Sequence, residues 1–473
     1  IRFIPNNTDL SLSKHHSIML NFVKSSIFLS LAIASLGRNQ AEAFAPAVKS
    51  LTASHIKQQQ SSNDDASAST SALFAKNIIV SFDGTGDNAY DYNPENAPHR
   101  TITNILKIHL FAGGEINGNE ELSAFDDQIC LYEPGMGGKT ADSFLRSFRM
   151  AMGSLWRQTR PMKKKLAAVY EPGDKIFVTG FSRGAASARK FCADLDREGL
   201  KLKSGEKVDV PIEFLGVYDT VSMQVWKNLG YIMSLTFSKQ GTTKSNVLNE
   251  NGIIAPNVKT AVHGVAMNDN RMYKLPISFN PILMGEEDAD QLAKEGKTRH
   301  EIWFAGAHGD VGGNFSAKGM SDYPLEYMME WMEKSGAKFL KPEEVDAKRL
   351  SVVELKKKLR KTPRREAFDF PAELLKFEKN PSDALNMSKR DGNTIDCKGC
   401  STRPVFVAKN DEMNFESQVN VHESLLHHLE TMKKEGKDYY INEFFTKKTP
   451  FKVVGSLGKE LPEETEKLRS YLP

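Results

Sequence analysis

Apolar residues along this chain gather into short runs, each closed by glycine-rich or acidic loops. Ile78, Ile79, Val80 and Phe82 form one run, which ends at Asp83-Gly84-Thr85-Gly86. A second, Gln128 to Tyr132, ends at Glu133-Pro134-Gly135-Met136-Gly137-Gly138. A third, Ile176 to Val178, ends at Gly180-Phe181-Ser182-Arg183-Gly184. Pro211 to Tyr218 runs into Asp219-Thr220-Val221, and His300 to Gly306 runs into Ala307-His308-Gly309-Asp310. Runs that are apolar throughout, rather than alternating, predict strands buried on both faces. Between them the spacing turns helical. Arg100 to Leu110, Asp142 to Arg160, a segment ending at Leu166 to Tyr170, and Ala185 to Leu195 all read as helices. The stripe Phe144, Leu145, Phe148, Met152, Leu155 and Trp156 reads more readily as core than as substrate contact. Pro172-Gly173-Asp174 is a turn. Strand and helix in alternation predict an α/β protein with a mostly parallel sheet and helices on both faces. Inserted helical lid-like segments and a helical C-terminal extension complete the expected architecture. Strand ends that share one edge of such a sheet form its ligand cleft.

The third strand end carries the sharpest chemical signal. Strand, G-x-S-x-G and helix, in Lys175 to Ala188, is the nucleophile elbow of an α/β hydrolase. Glycines two residues either side of Ser182 leave room for a turn tight enough to expose the serine oxygen. The turn also sets the N–H of Arg183 beside a developing oxyanion. Gly84 or Thr85 is the candidate for a second donor, and Asp83 either orients that loop or binds a cation. A phosphate-binding loop is the competing reading, but its lysine and its spacing are missing. Asp219, one strand after the serine, suits the acid that takes a histidine's second nitrogen, and equally suits a helix cap. His308, past a strand end among glycines, suits the general base. The order Ser182, Asp219, His308 is the α/β-hydrolase order, with Asp310 left open as the alternative acid. Ser222 to Pro256 holds enough apolar surface for a lid over an apolar substrate, and equally reads as a packing helix.

The N-terminus follows different rules. From Met19, a plausible initiator, Lys24 precedes an apolar run from Ile27 to Leu36, too short for a bilayer span and suited to a signal peptide. Ala41-Glu42-Ala43 gives a small-x-small cleavage pattern, and Phe44-Ala45-Pro46 follows. The stretch resembles the cleavage motif of bipartite plastid presequences in algae with secondary plastids. Val48 to Ala75, rich in Ser, Ala, Gln and Thr, suits a transit segment, although Asp64 and Asp65 are untypical. The expected address is the plastid by the secretory route; secretion, or the endomembrane lumen, is the alternative. Residues 1–75 are accordingly set apart as a presequence, and 76–473 as the hydrolase domain with its extension.

Composition narrows the picture only a little. With 40% hydrophobic and 26% charged residues, the 473-residue chain has the balance of a soluble globular protein. A net charge of +3 gives no ground for nucleic-acid binding. Four cysteines are too few for a disulfide scaffold, and Cys397-Lys398-Gly399-Cys400 lacks the second pair of a zinc knuckle. No metal or other cofactor is expected. Leu355 to Arg365 is a basic run broken by Pro363. It offers peripheral contact with anionic lipid, at about 1 kcal/mol per well-placed charge, or is simply a solvated surface. No segment after the presequence is long and apolar enough to span a membrane.

Taken together, FDGTGDN (82–88), YEPGMGG (132–138), GDKIFVTGFSRGAASAR (173–189), FLGVYDTV (214–221), WFAGAHGDVGGNF (303–315) and VHESLLHHL (421–429) resemble one family. It is a large set of α/β hydrolases long catalogued as a domain of unknown function, and includes the catalytic domains of type VI secretion phospholipase effectors. The resemblance covers about Lys76 to Trp331 and reaches toward Leu429. It implies a serine hydrolase of lipid esters, with Ser182 as nucleophile, His308 as base and Asp219 as acid. One segment departs: where the family reads like ALDERR, this chain has Ala266-Met267-Asn268-Asp269-Asn270-Arg271. If that segment shapes the site, substrate preference shifts here. A non-catalytic binding or scaffold protein on the same fold, and an esterase or thioesterase for a non-lipid acyl group, are the competing functions. His422, at helical spacing from Leu425 and Leu426, reads as structural.

Overall fold

Eight strands form one sheet, and every neighbouring pair in it is parallel. In chain order they are β1 (Asn77–Phe82), β2 (Gln128–Glu133), β3 (Lys175–Phe181), β4 (Ile212–Tyr218), β5 (Val258–Ala266), β6 (Thr298–Phe304), β7 (Val419–His422) and β8 (Phe451–Val454). The spatial order is β8-β7-β6-β5-β4-β3-β1-β2. The chain therefore builds outward from β1 to β2, returns to β3 on the other side of β1, and then adds strands in one direction. The reversal between β1 and β3 is the topological switch point, where open α/β sheets place their ligands. The computed structural model describes residues 75–85, 87, 101–116, 123–135, 156–221, 253–269, 282–315, 319–345, 351–352, 368–369, 372–379, 405, 407–409, 412–414, 416–436 and 445–473. The presequence, most of the lid-like segment, the basic run 355–365, both C-x-x-C cysteines and most of the helix expected over 142–160 lie outside them.

The buried apolar strands supply both faces of the sheet, as their unbroken hydrophobic pattern requires. Ile79, Phe177 and Phe214 face α1 (Asn104–Phe111) and α6 (Asp322–Lys334). Ile78, Val80, Ile176 and Val178 face the opposite way, toward α2 (Trp156–Val169) and α3 (Arg183–Glu198). Each such side chain, fully buried, stabilises the fold by about 1.5–3 kcal/mol. Thr103 starts α1 by accepting the N–H of Leu106, and its hydroxyl donates to Asp83 at 2.7 Å. The first helix is thus tied to the end of the first strand. Two short helices, α4 (Ala289–Lys294) and α5 (His308–Gly312), flank β6.

The C-terminal part is more than the helical extension expected. It contributes β7 and β8 to the sheet, with α7 (Ser424–Lys434) and α8 (Pro462–Tyr471) packed on them. Val421 pairs with Trp303 of β6, and Asn420 donates to the carbonyl of Glu301 at 2.8 Å. Among the described residues, no helix is long and apolar enough to cross a membrane.

Candidate active site

At the carboxyl end of β3 the backbone turns through a conformation side chains rarely adopt: Ser182 has φ 59°. The turn is held from three sides. The N–H of Ser182 donates to the carbonyl of Tyr218 at 3.0 Å, and its own carbonyl accepts from Val221 at 3.2 Å and Ala186 at 3.3 Å. The flanking glycines have no room for a side chain. A Cβ on Gly180 would lie 2.6 Å from the carbonyl oxygen of Gly184, and one on Gly184 would lie 2.3 Å from that of Asp83. Both contacts are backbone, so neither can give way, and the elbow has to be G-x-S-x-G.

Ser182, His308 and Asp219 stand in hydrogen-bonded series. The serine Oγ lies 2.9 Å from His308 Nε2, and His308 Nδ1 lies 2.5 Å from Asp219 Oδ2. All three side chains are buried. Asp219 has φ 39°, a second strained position one residue past β4. It is fixed by its N–H to the carbonyl of Gly264 at 2.7 Å, while its Oδ1 accepts from Ala266 N at 3.1 Å. Of the two readings open for Asp219, the histidine contact is therefore the one present. The alternative acid, Asp310, accepts the N–H of Ala307 at 2.9 Å and so caps the short helix that starts at His308. The ring of Phe181 lies against that of His308, with centroids 4.6 Å apart.

The β1 loop meets this series from across the switch point. Arg183 Nε donates to Thr85 Oγ1 at 2.5 Å, so the residue after the serine is clamped to that loop. Burial lowers the Arg183 pKa to about 10, which leaves it charged at neutral pH. The N–H of Gly84 donates to Asp83 Oδ1 at 2.8 Å, and Tyr132 donates to Asp83 Oδ2 at 2.5 Å. Burial first, and then the neighbouring charge of Asp87, raises the Asp83 carboxyl to about 7, against the lowering effect of its hydrogen bonds. Asp83 thus orients the loop from beneath, one of the two roles expected of it.

Two further contributors lie on β5 or just past its end: Asn268, in the segment that departs from the family pattern, and His263, which the sequence reading missed. Asn268 is doubly bonded to Gly306: its N–H donates to the Gly306 carbonyl and its Oδ1 accepts the Gly306 N–H, both at 2.9 Å. This clamps the end of β5 to the loop that delivers His308. An asparagine oxygen accepts there as an aspartate oxygen would, so the departure at this position preserves the contact. His263, on β5, is fully buried; its Nδ1 lies 2.8 Å from Glu301, and its Nε2 accepts the N–H of Thr220 at 3.1 Å. Among the described residues, ligand atoms of Asp219, Asp269 and His308 come within 4.8 Å of one another, close enough for a cation. Both ring nitrogens of His308 are, however, occupied by the serine and the aspartate.

A parallel sheet with helices on both faces, its serine elbow after β3 and an acid and histidine at later strand ends, defines an α/β hydrolase. Within that class the chain belongs to the family described as T6SS, Phospholipase effector Tle1-like, catalytic domain, which matches residues 76–209 and 201–331. It is an esterase- and lipase-like hydrolase family. A similar curated protein, uncharacterized protein YEL023C of Saccharomyces cerevisiae, is 33% identical over 147 residues, which is 28% of this chain and 19% of the yeast protein. Among solved structures, an uncharacterized protein from Pseudomonas aeruginosa is 17% identical, with a TM-score of 0.35, over 57% of this chain and 48% of that one. The Tle1 effector bound to the VgrG spike is 18% identical, with a TM-score of 0.31, over 51% of each chain. The chain thus spans about a fifth of the yeast relative and about half of these two solved proteins.

Proposed function

We propose that this protein is a serine hydrolase that cleaves carboxylic esters of lipids through an acyl-enzyme. The observation that carries the reading is the unbroken series from Ser182 Oγ through His308 to Asp219, at 2.9 and 2.5 Å. In it, His308 Nε2 takes the proton of Ser182 as Oγ attacks the ester carbonyl. Nδ1–H remains with the histidine and donates to Asp219, which fixes the tautomer and stabilises the imidazolium. The oxyanion is held by the N–H of Arg183, at the first turn of α3, where the helix end favours negative charge. The second donor comes from the β1 loop. Because the N–H of Gly84 is engaged by Asp83, Thr85 is the better candidate. Losing one such donor costs about 10²–10³ in rate. The proton then passes from His308 to the leaving alcohol, and water, deprotonated by the same nitrogen, releases the acid. Membership of a phospholipase-like family supports a lipid ester as substrate.

A fluorophosphonate probe tests the chemistry and a panel of glycerolipids tests the substrate. We expect the wild type to label and to release fatty acid, and Ser182→Ala to do neither. Labelling that persists in Ser182→Ala removes the nucleophile, and labelling without turnover of any glycerolipid removes the lipid. A chain that never labels is the non-catalytic scaffold. For the address, we propose plastid import, on the strength of the AEAFAP stretch at 41–46. A fluorescent fusion of residues 19–75 expressed in a diatom should enter the plastid, and its appearance in the medium refutes the proposal.

A further inference from the structure

One carboxylate beside the series has no part in the chemistry above. Asp269 lies in the turn after β5, and its side chain is buried. The chain's path fixes it there. Met267 N donates to Phe304 O at 3.0 Å, and the double bond between Asn268 and Gly306 follows at once, so the ends of β5 and β6 are stitched together just before Asp269. The result is a triangle in which ligand atoms of Asp269, Asp219 and His308 all lie within 4.8 Å of one another.

Two buried carboxylates this close repel each other when both are charged. A positive charge among them relieves that repulsion, and such a charge arises once per half-reaction, when His308 holds the proton of Ser182. Resting on the serine-hydrolase reading, we infer that Asp269 is a second acid of this site, a positioning residue that acts through His308 by stabilising its imidazolium together with Asp219. No proton moves to either carboxylate. The serine proton goes to Nε2, and Nδ1–H continues to donate to Asp219. Among the described residues, His308 is met from other elements by groups of a different kind. The elbow presents the Ser182 hydroxyl and β3 the ring of Phe181. Asp310, in the same short helix as His308, is directed at the N–H of Ala307. Arg183 Nε donates to Thr85, and His263, paired with Glu301, accepts the backbone N–H of Thr220.

The test is the second-order rate of fluorophosphonate labelling as a function of pH, which reads the serine and histidine without any assumption about the natural ester. In Asp269→Asn the acid limb should move to lower pH by about one unit, because the imidazolium has lost a neighbouring negative charge. Asp269→Ser gives the same reading should the amide not fold, and Asp269→Glu should keep the limb near that of the wild type. Asp219→Asn combined with Asp269→Asn should label about tenfold more slowly than Asp219→Asn alone. A wild type that labels while the limb stays in place in the charge-removing variants, whatever their amplitude, overturns this inference alone. A wild type that labels at no pH overturns the serine-hydrolase reading and takes this one with it.

Discussion

Among the described residues two histidine–carboxylate pairs lie close to one another, one past the strand ends and one on the strands themselves, and they are built differently. His308 meets Asp219 at 2.5 Å at the rim of the sheet; His263 meets Glu301 at 2.8 Å within it. In each, Nδ1 faces the carboxylate, and what faces Nε2 separates them. His308 has a serine hydroxyl there, a donor that can give up its proton. His263 has the backbone N–H of Thr220, a donor that cannot. The inner pair is a truss: Glu301 also accepts the N–H of Met284 at 2.8 Å, and Thr220 adjoins Asp219. A buried histidine with a carboxylate partner is thus not by itself a sign of catalysis. The atom opposite the second nitrogen decides.

Truncating the rim pair should have the largest effect: His308→Ala lowers kcat by about 10⁴ or more with the melting temperature little changed. Asp219→Asn should cost about 10³–10⁴, since the amide can favour the wrong tautomer. Glu301→Gln on the inner pair should instead cost stability, about 1–3 kcal/mol by chemical denaturation, with kcat lowered far less. If Glu301→Gln lowers kcat as much as Asp219→Asn, the division between machinery and truss fails. The effect that is smallest near neutral pH extends the comparison to histidines packed among rings. Burial first, and then the charges of His427 and Lys379, pushes His422 down to about 3, while burial and then Lys452 push His300 down to about 4. Both fall below the ordinary value, so the unfolded chain binds the extra protons. Stability should be level above about pH 6.5 and fall below it, by at most about 1.4 kcal/mol per pH unit for each histidine. Urea melts from pH 7.5 to 4.5 measure this, and His422→Phe, if it folds, should flatten the slope.

The strand ends and the elbow were legible because each is written locally, as an apolar run followed by glycine or acid. β1 starts and stops where its pattern does, at Asn77 and Phe82. β5 was missed because Lys259, Thr260 and His263 interrupt its apolar run. His263 is tolerated there only because Glu301, 38 residues on, supplies a partner. β7 and β8, four residues each, are too short to tell from the ends of helices. The clamp made by Asn268 likewise depends on two strands meeting at their ends, which no window of sequence contains. Local chemistry is readable along a chain, and long-range partnership is not.

The late strands carry a practical consequence. The part of the chain that matches the family ends at residue 331, yet β6, inside that part, has its outer side covered by Val419–His422. A recombinant fragment cut at 331 would leave the backbone of β6 open beside Trp303, a ready template for one copy to add onto another. Among the described residues the sheet ends on that side with a four-residue strand, where Lys452 is paired with Glu460. The segment after 331 thus covers that edge, and a fragment that keeps the sheet closed there has to be longer than the part the family matches.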